Sequence, residues 1–485
     1  NRRISQDILL VPGARPKAVA GQVVVVEIIE QPSKHAQPIG KVVEVLGNYA
    51  DPGMEIEIAL RKHELPFEFS REGLAEAKKL PDAVRKSDWK WEGGVREDIR
   101  SLPLVTIDGE TAKDFDDAVY CERQGKDGKG GFRLVVAIAD VSHYVQAERE
   151  LDRDAYERGN SVYFPRRVIP MLPEKISNGL CSLNPQVERL CMVCDMVVAP
   201  DGEITAYQFY PGVMHSQARF TYTEVAAILA NTRGPEAARH ADLVPHLVHL
   251  HEVFRALLKQ RAQRGAVEFE TAETQIVCDD NGRIEKIVPR TRNDAHRLIE
   301  EAMLAANVCA ADFIASHKHP ALYRVHEGPT PEKRTTLANY LKALGLQFSL
   351  SDEPAPAELQ AIADATKDRP DSLQIHTMLL RSMQQAIYTA ANVGHFGLAY
   401  EAYTHFTSPI RRYPDLLVHR VIKALLHGKR YHLASGALQD LPKVRKGGKP
   451  AKPSEQEAEL WEAAGAHCST NERRADEASR DVEAW

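Results

Sequence analysis

The sequence predicts a two-part α/β protein. A small all-β barrel covers residues 1–70, a linker with a short helix covers 71–97, and a large α/β (α+β) domain covers 98–485, with a mixed sheet and surrounding helices. Three observations lead there. Residues 1–70 set short β-rich runs between turn residues, the rhythm of small antiparallel barrels. Between 104 and 198, apolar strand-like runs succeed one another. Beyond residue 290, apolar residues recur at the three-to-four spacing of helices.

In order, the expected strands of the barrel are 21–29, 39–46 and 54–60, separated by Pro32-Ser33, Asn48 and Asp51-Pro52-Gly53. A polar stretch follows, with a helix over 72–80 stopped by Pro81. Strands are expected at 104–107, 118–122, 132–141 and 190–198. The glycine-rich run 125–131 lacks the GK[ST] ending of a phosphate-binding loop and reads as a hairpin connection. A helix over 294–316 carries Leu298, Ala302, Ala305 and Cys309 on one face behind Asn293, a suitable N-cap. Further helices are expected at 371–391, at 414–426 with Pro414 in the first turn and Gly428 beyond the end, and at 455–485, with a loop over 443–453.

A chain of 485 residues exceeds one ordinary core, and 43% hydrophobic with 27% charged residues is globular composition. No apolar run approaches the roughly 18 residues needed to span a bilayer. The net charge of −6 is unlike that of a protein that coats nucleic acid, although an acidic exterior is compatible with a basic channel. Seven cysteines, an odd count in apolar surroundings, suit reduced thiols in the cytoplasm. Cys191 and Cys194 have metal-like spacing but fall within a strand run and lack a second pair, so no zinc site is expected. The start Asn1-Arg2-Arg3-Ile4, without Met, reads as an internal point of a longer chain.

The chemistry-bearing run is 106–117, in which Asp108, Asp114, Asp116 and Asp117 follow a strand. Two carboxylates about 4 Å apart repel by roughly 4 kcal/mol at an effective dielectric of about 20. Convergent carboxylates therefore need protons or cations. An all-oxygen set favours Mg²⁺, with Mn²⁺ as substitute, and two such ions suit phosphoryl transfer. On spacing alone an exposed, solvated acidic loop is the commoner outcome, so both readings stay open here. Arg411 and Arg412, before a helix, could bind phosphate through the planar guanidinium fork or form surface ion pairs.

Five segments in consistent order are similar to the ribonuclease II family: residues 107–117, 136–142 (VAIADVS), 161–165 (SVYFP), 180–185 (LCSLNP) and 405–413 (HFTSPIRRY). The resemblance covers nearly the whole chain. It implies an RNB catalytic domain preceded by cold-shock, OB-type barrels. It also implies processive hydrolysis of RNA from the 3′ end to nucleoside 5′-monophosphates, by a two-metal reaction in the cytoplasm. Family members carry two such barrels before the catalytic region and an S1 domain after it; this chain has room for one barrel and none after, so a longer parent protein is expected.

By this resemblance Asp108, Asp114, Asp116 and Asp117 are catalytic and hold metal, and Arg411 stabilises charge at the scissile phosphate, with Arg412 its partner. Tyr163 and Phe269 resemble the aromatic pair that clamps the terminal nucleotides. Tyr222, Glu300 and Glu301 are candidates for ribose or backbone contacts, with a helix-face salt bridge the alternative for the glutamates. The expected partners are single-stranded RNA and RNA with a 3′ overhang, with no membrane, for a monomer that works beside RNA-decay machinery. Two alternatives stand: an enzyme that stalls before duplexes, and a non-catalytic RNA-binding regulator with the same fold.

Overall fold

The structure is a computed structural model, and it describes residues 4–13, 16–269, 274–278, 280, 284–289, 292–434, 438–440 and 455–485. The N-terminal unit contains β1 (Leu9–Leu10), β2 (Gln22–Glu30) and β3 (Ile39–Asn48) in the order β1-β3-β2. β2 and β3 are antiparallel, as the sequence leads one to expect.

The third expected strand is a correction. Residues 54–60 belong to helix α1 (Met54–Lys62), which follows Gly53 in the left-handed region (φ 79°). The alternation Met-Glu-Ile-Glu-Ile imitates a strand. The buried side chains Ile56, Ala59 and Leu60 instead stand at helical spacing and face the final helix. Helix α2 (Arg71–Lys79) matches its expected place, with Ser70 Oγ accepting from Gly73 N at 2.9 Å.

The large domain is built on a seven-stranded mixed sheet. Its members are β4 (Glu97–Asp98), β5 (Val105–Asp108), β6 (Asp117–Arg123), β7 (Phe132–Ala139), β8 (Glu188–Val198), β9 (Ile204–His215) and β10 (Ala218–Thr221). The spatial order is β10-β5-β6-β7-β8-β9-β4. Only the outer pairs, β10 with β5 and β9 with β4, are parallel. In β7 the run from Leu134 to Ala139 is wholly buried, which explains why it is apolar without alternation: both faces of the sheet are covered. Each buried Val, Leu or Ile there contributes about 1.5–3 kcal/mol. Cys191 and Cys194 are buried within β8.

Helix Val244–Arg264 packs on β6, and α3 (Asp294–Ser316) reaches β7. Asn293 caps α3, its Oδ1 accepting from His296 N at 3.2 Å. The expected helix over 371–391 is corrected: it spans Ser372–Ser382, and Ile387–Thr389 is a strand paired with Tyr323–Val325. α4 (Tyr413–Leu426) is buried along nearly its whole length. α5 (Glu455–Glu483) closes the chain against α1, Val162–Phe164 and Ile387–Thr389. The expected loop over 443–453 lies outside the described residues.

Candidate active site

Two strand ends and one loop deliver the four aspartates. Asp108 ends β5, Asp117 begins β6, and Asp114 and Asp116 lie in the connection between them. Main-chain placement of that connection is set by residues distant in sequence. Ser182 Oγ accepts from Phe115 N at 2.9 Å and donates to Lys113 O at 2.7 Å, while Leu183 N donates to Phe115 O at 2.9 Å. Residues 180–185 thus clamp the acidic loop. On its other side Arg219 of β10 donates to the carbonyls of Glu110 and Ala112, and its guanidinium lies 5.2 Å from the Phe115 ring.

Asp116 is 1% exposed, and both its oxygens are engaged. Ile410 N donates to Oδ1 at 2.9 Å and Arg411 Nε to Oδ2 at 2.7 Å. Arg411 Nη2 donates to Ser408 Oγ at 2.8 Å. Burial still pushes the Asp116 carboxyl up to about 7, against the pull of Arg411. Asp108 is pushed up to about 6 by burial, again opposed by Arg411. Asp117 is held well above the ordinary carboxylate range by burial and by Asp108 and Asp116 beside it. The Tyr163 hydroxyl donates to Asp114.

The loop bearing Arg411 is braced from below. Asp415, fully buried, accepts from Ser408 N at 2.8 Å and from Arg412 Nε and Nη2 at 2.9 and 2.7 Å. Arg412 is therefore bound bidentately within its own helix start. Ser161 N donates to Arg411 O at 2.9 Å, tying in the hairpin Val162–Phe164 and Arg167–Ile169 that carries Tyr163. Tyr163, 44% exposed, lines a cavity of about 320 Å³ with Arg411, Arg412, Tyr388 and Asp476.

The structure brings Asp108, Asp114, Asp116, Asp117, Arg411 and Tyr163 together. Tyr222, directly after Thr221, which pairs with Asp108 across β10 and β5, stacks on His296 at 3.9 Å between centroids. Phe269 packs elsewhere, against the helical cluster of Leu337, Leu341, Leu359 and Ile375, with its ring 6.1 Å from His376. Glu301 is buried and ion-paired with Arg261 at 2.6 Å, and Glu300 pairs with Arg292. The ion-pair alternative thus describes both glutamates. Ser182, Ser408, Asp415 and Arg219 were missed by sequence reading; only Asp415, three residues after Arg412, left a local signal.

For a divalent cation the evidence is chemical. Asp108 Oδ2 and Asp117 Oδ2 are buried and accept no hydrogen bond from the described residues, and the donor set is all oxygen. Among the described residues, no three His, Cys, Asp or Glu side chains form a ready-made cation cage. The carboxylates therefore fit a cation that keeps part of its shell as water or substrate oxygen, as Mg²⁺ does.

The RNB domain family profile matches residues 96–428 and the cold shock domain profile residues 1–70. The chain is 48% identical to ribonuclease R of Escherichia coli (strain K12) over all 485 residues, which make up 57% of that protein. It therefore spans little more than half the length of that curated relative. Two solved structures of Mycoplasma genitalium RNase R superpose on it. One is a complex with ribose methylated single-stranded RNA (28% identity, TM-score 0.86, all of this chain and 71% of that one). The other is a complex with double-stranded RNA (29%, 0.87, 100% and 81%). Yeast Ssd1, described as a pseudonuclease, shares the fold at 18% identity and TM-score 0.70, over 95% of this chain and 54% of that one.

Proposed function

The chain belongs to the RNB domain family, and from that premise we propose that it is a processive 3′ to 5′ exoribonuclease releasing nucleoside 5′-monophosphates. The observation that carries the reading is the pairing of Arg411 with Asp116 beside two buried carboxylate oxygens without hydrogen-bond partners. A structural acidic loop has no use for such oxygens, whose burial costs free energy unless a cation or proton meets them.

In this reading Asp108, Asp114, Asp116 and Asp117 would hold Mg²⁺, or Mn²⁺ in its place. When bound, the ions supply charge neutralisation at the phosphate and an acidified water, as in two-metal phosphodiester hydrolysis. The chain's own groups do the rest. Arg411, held at Nε and Nη2, keeps its remaining nitrogen for a phosphate oxygen as charge develops there. Asp116 fixes that guanidinium. Tyr163 offers a face for the terminal base and keeps its hydroxyl on Asp114. Arg412, spent on Asp415, acts by positioning the loop.

The substrates in this reading are single-stranded RNA and RNA with a 3′ overhang, with structured RNA degraded by pulling one strand through an entrance too narrow for duplex. The double-stranded RNA complex of the Mycoplasma genitalium protein shows that a relative of this fold takes a duplex-containing ligand. The regulator alternative has the likeness to Ssd1 in its favour, but that concerns the fold alone. We place the protein in the cytoplasm as a monomer beside RNA-decay machinery. In support of a reducing compartment, six described cysteines are buried free thiols.

The deciding experiment incubates the chain with 5′-labelled oligoadenylate, with and without Mg²⁺. A ladder of shortening products that requires Mg²⁺ is expected. No shortening with RNA binding retained would establish the regulator, and arrest of a 3′-overhang hairpin at its duplex would establish the stalling enzyme.

A further inference from the structure

A second charged network lies at the far end of α4 from Arg411. Asp140, directly after β7, is shared by Arg96 Nη1 at 2.7 Å and Lys423 Nζ at 2.6 Å. His143 extends the network, with Nδ1 3.2 Å from Arg96 Nη2 and Nε2 3.0 Å from Asp88 Oδ1. Asp88 in turn pairs with Arg85. The buried members, Asp88, Arg96, Asp140 and Lys423, balance two against two, and the exposed Arg85 adds a third cation at the surface.

Lys423 and His143 line a cavity of about 470 Å³, within the range of small-molecule sites. Its rim carries Lys90 and Arg149, and among the described residues neither is ion-paired. Glu92 is the one carboxylate in the described lining. The charge of Arg420, also in the lining, is taken up by Asp152 at 2.7 Å. One wall is aromatic: Trp91 meets His427 edge-on at 6.2 Å, and Tyr431 stands in the same lining. Positive charge over an aromatic wall matches a ligand with an anionic end and a flat end.

We propose that this cavity binds a phosphate-bearing nucleotide, its phosphate against Lys423 and Arg149 and its base against Trp91. Lys423 has donors to spare, since Asp140 takes one of its three N–H groups. The site stands apart from the nuclease reading and would survive its failure. A free mononucleotide and a nucleotide within an RNA strand share this chemistry.

The test uses the full chain carrying Arg411→Ala, so that the phosphate contact of the other site is gone. Binding of 5′-AMP, inorganic phosphate and oligoadenylate is measured by equilibrium dialysis, with and without Lys90→Ala/Arg149→Ala. Both rim side chains are exposed and unpaired, so this double change keeps the fold, checked by an unchanged melting temperature. Saturable AMP binding weakened at least tenfold by the double change is expected, and Trp91→Leu should weaken AMP but not inorganic phosphate. A parallel loss for oligoadenylate assigns the site to the RNA strand; a loss for AMP alone assigns it to free nucleotide. Absence of saturable AMP binding, or affinity untouched by the double change, overturns the proposal, and phosphate bound as tightly as AMP overturns the nucleotide assignment.

Discussion

Asp116 has the least freedom of the four aspartates, because a backbone N–H and a guanidinium fix both its oxygens. Asp116→Asn keeps the shape and removes the charge that holds Arg411. RNA binding by filter assay should be retained, while single-turnover hydrolysis in Mg²⁺ falls by on the order of 10²–10³-fold, the scale of losing one electrostatic contact at a reacting centre. Near-normal turnover would remove Asp116 from the chemistry. Tyr163 has a different role and should show a different defect. Tyr163→Ala should leave cleavage running but lengthen the final undegraded fragment on a denaturing gel; an unchanged end product would mean that its ring carries no base.

At the scale of elements, α4 holds the loop bearing Arg411 by its first turn and the core by its middle. Asp415→Ala leaves Arg412 without its buried partner and Ser408 N without an acceptor, so a loss on the order of 3–5 kcal/mol is expected in urea unfolding. His419 lies deeper in the same helix, stacked on Phe406 at 4.3 Å with Nε2 2.7 Å from Phe406 O. Burial holds its imidazole down to about 4, whereas the unfolded chain takes that proton near 6.5. The unfolded state binds the proton first, so this contribution is complete above about pH 6.5 and is lost as pH falls towards 4. At pH 5 the loss from His419 alone is about 2 kcal/mol. Melting at pH 7.5 and 5 should show His419→Gln with a shallower acid loss than the parent; an equal loss would assign it to other groups.

What was legible in the sequence follows the same division. Strands covered on both faces announce themselves as apolar runs, and α3 announced itself by its period and its Asn293 cap. α1 was misread because Met-Glu-Ile-Glu-Ile satisfies the strand period over its first residues, and only docking against α5 decides which face is inside. The helix expected to run to 391 stops at Ser382 because residues 387–389 find a strand partner at 323–325, more than sixty residues away in sequence. The acidic cluster was visible because its members lie within ten residues of one another. The groups that aim it were not: the partners of Ser182 and Arg219 lie 69 and 107 residues away, and Ser408, though three residues from Arg411, is a hydroxyl that carries no motif of its own.

At the scale of the molecule, the N-terminal unit and the domain share one apolar cluster. Ile56, Ala59 and Leu60 of α1 meet Val162, Phe164 and Ile169 of the Tyr163 hairpin and Ala475, Ala478 and Val482 of α5. Leu60 is fully buried there, so Leu60→Ala should cost about 2–5 kcal/mol. Because the cluster supports the hairpin, the same change should raise the KM for oligoadenylate more than it lowers kcat; unaltered kinetics would show that the hairpin stands without the N-terminal unit. Mg²⁺ should raise the melting temperature of the parent chain, since a cation relieves the crowding of Asp108 and Asp117, and far less that of Asp117→Asn. Differential scanning fluorimetry with and without chelator checks this.

Asn471 of α5 donates to Glu157 O across 314 residues of sequence, just ahead of the Tyr163 hairpin. Seen from the ribosome, this order matters. A nascent chain carries the aspartates early and Arg411 much later, but the support under the hairpin is missing until α5 has emerged from the exit tunnel. The hairpin proposed to hold the terminal nucleotide thus gains this support only after the 314 residues from Glu157 to Asn471 have been translated.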